Sequence, residues 1–355
     1  MLKLFKYHLP FRSPFKVSGR TYTHREGIIL EYSEGEIVAY GEIAPLPGFS
    51  EESLEQVISV LNIQREILTG SFRDGSIAQI ITVMDQIHGF PSLSFGLDML
   101  WHDLQSKRKG IRIAELISSH KPGEVKVNFT AGLEEKDRIL KKTSEKVGKG
   151  YQTIKLKADT DKERLIDIIT ALRENFKGIK IRLDANECWS KEQAVKILKE
   201  LAEYDIEYCE QPVASGDPEI LHSVADSVPV PIAADESLRN FSDAKALSDK
   251  QSVQYFIIKP MLFGKIHDII VTKQMADAHN IKVVFTTALE SIVGRTMIAE
   301  LASVLGNKNI AHGLDTGSVF SSDLSTLTEI QKGCYHFPGK PGIPFTPDAS
   351  LLDEI

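Results

Sequence analysis

Charged residues close a series of short apolar runs in the middle of the chain. The run that begins at Thr153 ends in Lys157, and Lys155 shares its face because alternate side chains of a strand point the same way. The runs that follow, at steps of 27, 26, 25 and 24 residues, end in Asp184, Glu210, Asp235 and Lys259. Each step has the length of one strand and one helix. The spacing therefore predicts that these side chains stand at the ends of successive parallel strands.

The charged residues suggest a particular chemistry. Asp184, Glu210 and Asp235 offer hard-oxygen ligands of the kind that Mg²⁺ takes, and Mn²⁺ can substitute for it. A metal that binds a substrate carboxylate stabilises the enediolate that forms when the α-proton leaves. A lysine that is partly desolvated beside a cation has a lowered pKa and can act as the base at neutral pH. The residues predict proton removal α to a carboxylate, with a small-molecule carboxylate as substrate.

The elements that would position these residues alternate between short apolar runs and amphipathic helices. This alternation predicts an α/β fold of the modified (β/α)₈ TIM type, in which strand carboxyl ends open onto one face that holds the active site. About 190 residues are fewer than the roughly 250 of such barrels, so one unit is shortened, as in a (β/α)₇β barrel. The predicted strands are 125–129, 153–156, 180–183, 206–209, 231–233, 254–258, 282–285 and, more weakly, 310–313.

The first hundred residues have a different texture, with an antiparallel meander followed by helical periodicity. We expect an α+β capping domain over 1–100, a barrel domain over 101–320, and a proline-rich tail over 321–355 that returns to the cap. The predicted strands of the cap are 2–9, 27–32 and 36–43, and its predicted helices are 51–68, 77–88 and 94–105.

The composition of the 355-residue chain excludes several classes of function. Lys plus Arg number 42 against 49 Asp plus Glu, and the net charge of −7 opposes nucleic acids and anionic membranes as partners. The three cysteines show no disulfide or zinc spacing. No apolar stretch approaches the roughly 20 residues that cross a bilayer. We predict a cytoplasmic protein with a small-molecule partner, and the sequence leaves a homo-oligomer open.

A capping block followed by Lys-x-Lys, Asp, Glu, Asp and Lys at successive strand ends resembles the enolase superfamily, in its muconate-lactonizing-enzyme-like subgroup. Within the subgroup the chain most resembles the o-succinylbenzoate synthases, because of the Pro-Leu-Pro-Gly-Phe-Ser loop at 45–50 and the Gly-Leu-Asp-Thr segment at 313–316. The other resembling stretches are 41–44, 91–96, 182–186 with Trp189, 235–239, 258–260 and 289–291.

The resemblance implies a role for each charged residue. Lys157 would remove the α-proton and return it to the leaving hydroxyl group on the same face, and Lys155 would lower the pKa of Lys157 and help bind the carboxylate. Lys259 would stabilise the enolate. One Mg²⁺ ion would bind Asp184, Glu210 and Asp235. Asn186 and Glu236 would support these ligands from nearby.

The resemblance also implies the substrate and where it binds. The reaction would dehydrate 2-succinyl-6-hydroxy-2,4-cyclohexadiene-1-carboxylate to 2-succinylbenzoate on the route to menaquinone. Capping loops at 18–22 and 46–50 would close the mouth of the barrel, and residues at the ends of the last two strands would bind the succinyl tail. The substrate-binding residues implied are Arg20, Pro47, Phe49, Thr286, Thr287 and Gly313.

Other reactions share this site. N-succinylamino acid racemisation, dipeptide epimerisation and cycloisomerisation use the same carboxylates and lysines. Dipeptide epimerases of the subgroup typically carry Asp-x-Asp near the eighth strand to hold an α-ammonium group, whereas this chain has Gly313 in the first place and Asp315 alone. That departure weakens the hypothesis of a dipeptide epimerase. A Schiff-base aldolase on the same barrel would leave the three carboxylates unexplained.

Overall fold

The computed structural model describes residues 1–17, 20–87, 89–325 and 330–355. The strands are β1 (Leu2–Val17), β2 (Arg20–Glu34), β3 (Ile37–Ile43), β4 (Phe129–Ala131), β5 (Thr153–Lys157), β6 (Lys180–Asp184), β7 (Ile206–Glu210), β8 (Ile232–Ala234), β9 (Tyr255–Ile258), β10 (Lys282–Phe285), β11 (Ile330–Gln331), β12 (Cys334–Tyr335) and β13 (Leu352–Glu354). The helices are α1 (Leu54–Asp74), α2 (Ile77–Gln86), α3 (Pro91–Lys109), α4 (Ile113–Ile117), α5 (Lys136–Gly148), α6 (Lys162–Asn175), α7 (Lys191–Glu200), α8 (Pro218–Ser227), α9 (Phe241–Asp249), α10 (Pro260–Phe263), α11 (Ile266–Ala278) and α12 (Ile292–Leu305).

An antiparallel sheet with the order β13-β1-β2-β3 forms the cap. The long β1–β2 ladder keeps one register from Leu2 opposite Tyr32 to Pro10 opposite His24, shifts, and resumes with Phe15 opposite Tyr22. These strands are longer than the sequence pattern predicts, because backbone pairing continues where the apolar alternation fades. At the other end of the chain, β13 adds to the outer edge of β1. The last residues of the chain therefore belong to the capping sheet.

The helix α3 packs against β3 through two glycines. A Cβ atom on Gly41 would lie 2.4 Å from the carbonyl oxygen of Gly96, and one on Gly96 would lie 2.7 Å from the carbonyl oxygen of Glu42. Real Cβ atoms do not come this close, so both positions need glycine for the helix to approach the sheet. This contact joins two of the segments that carry the family resemblance.

The barrel is a curled parallel sheet in which β4 to β10 follow one another in chain order. The run at 310–313 closes it, but as bridges and not as a strand. His312 pairs with Val127 beside β4, and Gly313 pairs with Thr286 after β10. The prediction of an α/β barrel with an α+β cap is confirmed. The run at 310–313 was predicted as a strand, but it forms a single bridge to each neighbour and no continuous ladder. The first strand begins at Phe129 and not at residue 125.

A strand-like run without a following helix ends the barrel. After Gly313 the chain forms a 3₁₀ turn at Gly317–Val319, so the alternation stops at (β/α)₇β within the described residues. Apolar side chains of the barrel strands pack with those of the surrounding helices in one large core. A second, smaller cluster comprises other side chains of the barrel strands and of the closing run, Tyr208, Ala233, Tyr255, Ile257, Val284 and Ile310. None of the helices described here is both long enough and apolar enough to cross a membrane.

Candidate active site

The register of the parallel strands sets three of the charged residues at one level. Lys157 on β5 lies opposite Asp184 on β6, and Asp184 lies opposite Glu210 on β7. Asp235 directly follows β8, and Lys259 directly follows β9. All five residues stand at the carboxyl ends of five consecutive strands. The structure thus brings together the residues that the spacing groups.

The lysines contact the carboxylates directly. The Nζ atom of Lys155 lies 2.8 Å from Oδ2 of Asp184 and 2.7 Å from Oε1 of Glu210. Lys157 donates to Oδ2 of Asp184 at 2.7 Å, and Lys259 donates to both carboxylate oxygens of Asp235. The carboxylate side chains are at most 4% exposed, whereas 34% of the Lys157 side chain is exposed. Lys157 is therefore the most accessible of the three ammonium groups.

The three lysines and three carboxylates of the cluster balance in formal charge, but burial and pairing affect each group differently. Burial, together with the neighbouring charge of Asp184, raises the pKa of Glu210 to about 8. Burial also disfavours ionised Asp184, but Lys155 and Lys157 outweigh it and hold the pKa of Asp184 below its ordinary value. Burial lowers the pKa of Lys155, but the surrounding carboxylates outweigh it and the pKa is raised. A further positive charge beside Glu210 would favour its ionised form.

Glu236 and Asn186 extend the cluster. Asn186 donates from Nδ2 to Oε1 of Glu236 at 3.0 Å, and its own Oδ1 accepts a hydrogen bond from Lys157. The other carboxylate oxygen of Glu236 is buried and has no hydrogen-bond partner among the described residues. Such an orphaned oxygen beside three buried carboxylates fits a bound divalent cation with hard-oxygen preference. The donor set, oxygen only, matches Mg²⁺ or Mn²⁺.

Gln211 positions one of the carboxylates, and sequence reasoning missed it. Its side-chain oxygen accepts the backbone N–H groups of Asp235 and Ser237, each at 3.1 Å, and its amide nitrogen donates to Ser237 and Val213. Gln211 itself has a φ of 38°, in the left-handed region, directly after Glu210. The side chain therefore fixes the loop after β8 to the loop after β7. Its place beside a predicted ligand was the available signal.

The capping loop at 45–50 reaches the site through Phe49. The Phe49 ring centroid lies 6.0 Å from Nζ of Lys259, and Arg239 donates to the Phe49 carbonyl oxygen at 3.4 Å. Pro47 is exposed and instead lines a separate cavity of about 380 Å³. The side chain of Arg20 lies outside the described part of the chain, as do Ser18 and Gly19.

The residues after the last strands form the inner wall. Thr286 and Gly313 line a small cavity of about 50 Å³ together with Lys155 and Glu210. The hydroxyl group of Thr286 donates to the carbonyl oxygen of Gly313 at 3.1 Å. Thr287, in contrast, is buried, and its hydroxyl oxygen lies 2.8 Å from that of Thr316. The structure thus brings Thr286 and Gly313, but not Thr287, to the wall of the charged cluster.

A buried arginine joins the cap to the mouth of the barrel. Arg25, on β2, is 3% exposed and donates to the carbonyl oxygens of Pro45 at 2.7 Å and Leu289 at 3.2 Å. One guanidinium group therefore connects the capping loop with the loop that follows β10. The sequence analysis did not assign a role to Arg25, although both loops carry resembling motifs.

A capped barrel with carboxylates and lysines at the carboxyl ends of its strands defines a class of proteins whose active site lies between cap and barrel. Residues 138–351 match the family model described as Enolase C-terminal domain-like, and residues 1–104 match MenC, N-terminal domain. The chain belongs to the enolase superfamily, which confirms the resemblance seen in its motifs.

Relatives with different activities align along most of the chain. A hydrophobic dipeptide epimerase of Enterococcus faecalis is 32% identical over 302 residues, 84% of each chain. An o-succinylbenzoate synthase of Vibrio cholerae is 28% identical over 333 residues, 91% of each chain. The crystal structure of a Cytophaga hutchinsonii dipeptide epimerase, complexed with Mg and the dipeptide D-Ala-L-Val, is 25% identical with a TM-score of 0.87, covering 100% of this chain and 98% of the other. Likeness alone does not select one reaction.

Proposed function

We propose that the chain is a Mg²⁺-dependent o-succinylbenzoate synthase that dehydrates 2-succinyl-6-hydroxy-2,4-cyclohexadiene-1-carboxylate to 2-succinylbenzoate, in menaquinone biosynthesis. One observation carries the choice among the reactions of the family. The end of the barrel near residues 313–315 offers no free carboxylate to an ammonium group. The relative from Vibrio cholerae supports the proposal as well.

Gly313 stands where a dipeptide epimerase of this subgroup would carry its first aspartate. A Cβ atom there would lie 2.3 Å from Oγ1 and 2.9 Å from Cβ of Thr286, so the position has no room for an aspartate. The carboxylate of Asp315 is also engaged, since it pairs with Lys146 and accepts a hydrogen bond from the Tyr151 hydroxyl group at 2.8 Å. Asp315 lines the same small cavity as Gly313, but its charge is already paired, so this wall favours a substrate tail without an ammonium group.

The reaction needs one base that first takes and then returns a proton. Lys157 is the accessible lysine, and in its neutral form it would take the α-proton while the electron pair of the C–H bond moves onto the substrate carboxylate and forms the enediolate. The protonated Lys157 would then give that proton to the hydroxyl group as the C–O bond breaks. The enediolate electrons return to the ring in this step, so water leaves and the aromatic ring forms. One positioned base in both roles agrees with general acid–base catalysis.

The remaining residues support the charge that develops on the substrate. Mg²⁺, held by Asp184, Glu210 and Asp235, would supply stabilisation of the negative charge on the carboxylate oxygens of the substrate. Lys259, which follows β9 and lies near the Phe49 ring, would add positive charge from the side of the site opposite Lys157. The loop that carries Phe49 would exclude water from the mouth.

A second candidate is racemisation or epimerisation of an N-acylated amino acid or dipeptide. It is favoured by the position of Lys157 and Lys259 at the two ends of the carboxylate row, where they would act as base and acid on opposite faces of one carbon atom. The relative from Enterococcus faecalis supports this candidate.

A spectrophotometric assay separates the two candidates. The purified protein would be given the cyclohexadiene carboxylate with Mg²⁺ and then with excess EDTA, and the loss of diene absorbance would be followed. In parallel, N-succinylamino acids and dipeptides would be incubated in D₂O and their α-proton exchange measured by NMR. We expect fast metal-dependent dehydration. Absence of dehydration, together with exchange in a dipeptide, would replace the first candidate by the second.

A further inference from the structure

Three metal-ligating side chains lie on one face of the capping sheet. His8 on β1 is the direct cross-strand partner of Glu26 on β2, and His24 lies two residues from Glu26 on the same strand. Because side chains two residues apart in a strand share a face, the two imidazole rings and the carboxylate point to the same side.

The distances within this group are close to those of a metal site. The Nδ1 atom of His8 is 3.2 Å from Oε1 of Glu26, and Nε2 of His24 is 3.9 Å from the same oxygen. The potential ligand atoms all lie within 4.8 Å of one another. Zinc bound tetrahedrally at about 2.0–2.2 Å from N and O ligands requires ligand atoms about 3.3–3.5 Å apart. Small side-chain rotations reach that spacing.

We propose that His8, His24 and Glu26 form a metal site for a divalent ion that prefers nitrogen ligands, with Zn²⁺ as the strongest candidate. Imidazole nitrogens select Zn²⁺, Cu²⁺ or Ni²⁺, in contrast to the oxygen-only cluster in the barrel, which selects Mg²⁺ or Mn²⁺. The site differs from the candidate active site in its residues and its metal class, so it does not depend on the proposed function.

The surroundings of the group support metal binding. The hydroxyl oxygen of Thr23 lies 3.2 Å from Nδ1 of His24, and such a partner holds the ring so that Nε2 is the free ligand atom. His24 and Glu26 also line the cavity of about 380 Å³ beside the capping loop, which leaves space for water as a fourth ligand.

Lys6 competes with the metal. Its Nζ atom lies 2.8 Å from Oε1 of Glu26, the same oxygen that faces both histidines. A bound cation would have to displace this ammonium group or leave it beside the ligand. The variant Lys6→Met keeps the aliphatic stem without the charge, so it should bind Zn²⁺ more tightly than the natural chain.

Calorimetric titration of the full-length protein with ZnCl₂ alone tests the site. Excess Mg²⁺ would occupy the barrel carboxylates throughout. We expect one saturable Zn²⁺ site that weakens at least about tenfold in His8→Ala and in His24→Ala, as expected when a metal loses a ligand. His120→Ala removes an exposed histidine elsewhere and is the matched control, with unchanged affinity.

The variants also give the results that would overturn the proposal. These side chains are between 28% and 47% exposed, so the variants should keep the fold, which circular dichroism would verify. Zinc affinity equal to that of the natural chain in both His8→Ala and His24→Ala would remove the site. Unchanged affinity in Lys6→Met would show that Lys6 does not compete with the metal for Glu26 and would contradict that part of the proposal.

Discussion

Glu42, on the last strand of the cap, accepts two hydrogen bonds from Ser291, one from its backbone N–H at 2.8 Å and one from its hydroxyl group at 2.6 Å. The same carboxylate also accepts from the hydroxyl group of Tyr7 at 2.6 Å and from the N–H of Gly294 at 2.7 Å. Ser291 is the N-cap residue of α12, where free backbone N–H groups and the helix dipole favour an anion. A single buried carboxylate of the capping domain thus accepts hydrogen bonds at the N-terminus of a barrel helix.

These hydrogen bonds predict that a conservative substitution of Glu42 strongly lowers the stability of the fold. Glu42→Gln turns one acceptor oxygen into an amide that faces hydrogen-bond donors, so we expect the free energy of unfolding to fall by about 2–4 kcal/mol. Urea denaturation would measure the loss. Glu36→Gln, an exposed position in the same hairpin, is the control and should stay within about 0.5 kcal/mol of the natural chain. Equal stability of the two variants would contradict the role of Glu42.

Glu290 predicts a pH dependence of stability. Burial, and then the charge of Glu42, raise its pKa from 4.5 to about 7. Between these values the folded chain keeps a proton that the unfolded chain has lost. The stability from protonated Glu290 is therefore complete below about pH 4.5 and disappears as the pH rises through 7.

Glu290→Gln isolates this contribution, because glutamine has nearly the same shape and does not ionise. We expect the variant to be more stable than the natural chain above pH 7, by about 2 kcal/mol, and to show a flatter profile between pH 5 and 8. Urea denaturation across that range would measure both curves. Parallel curves for the two proteins would show that Glu290 does not titrate in this range.

The charged residues at the strand ends could be predicted from the sequence, but the hydrogen bonds that join loops and domains could not. Lys157, Asp184 and Glu210 each end a strand, so the period of the βα units alone aligns them. Gln211 and Glu42 act across loops or domains, and their partners are decided by how those segments meet in space. A single sequence contains no periodic signal for such contacts.

Polar residues inside the barrel show the same limit. Arg182 lies in the middle of β6, has no exposed surface, and donates to Glu207 at 2.6 Å and to the carbonyl oxygen of Ala311 at 2.7 Å. The alternation of its strand places it inward with Asp184, but only the structure gives its partners. The pattern likewise could not show that the run at 310–313 forms only isolated bridges, because a run of four residues does not reveal how many of them pair.

Glu210→Gln tests the metal site. Loss of one carboxylate charge from the oxygen cluster should weaken Mg²⁺ binding at least about tenfold, because hard cations depend on ligand charge. Calorimetric titration with MgCl₂ measures this directly. Glu203→Gln, at an exposed position before the same strand, is the control with unchanged affinity. Full Mg²⁺ affinity in Glu210→Gln would exclude Glu210 as a ligand.

Two single variants, Lys157→Ala and Lys259→Ala, test the mechanism. We expect Lys157→Ala to keep Mg²⁺ affinity and to lower kcat for dehydration by about 10²–10⁴-fold, the usual contribution of a general base. A racemase would instead lose α-proton exchange from only one enantiomer in Lys259→Ala. Undiminished dehydration by Lys157→Ala would refute the assignment of the base.

Gly313→Ala tests the observation that selects the reaction. The new methyl group would overlap with Thr286, whose hydroxyl oxygen lies 2.3 Å from its position, so we expect a loss of about 1–3 kcal/mol in stability and a higher KM. Thr286→Gly removes the overlapping atoms, so the double variant should lose less than the sum of the single changes. Gly132→Ala is the control, because nothing lies within 4 Å of the Cβ it would add. Natural stability and kinetics in Gly313→Ala would mean that the wall has room for a side chain, and the argument against dipeptide epimerisation would then fail.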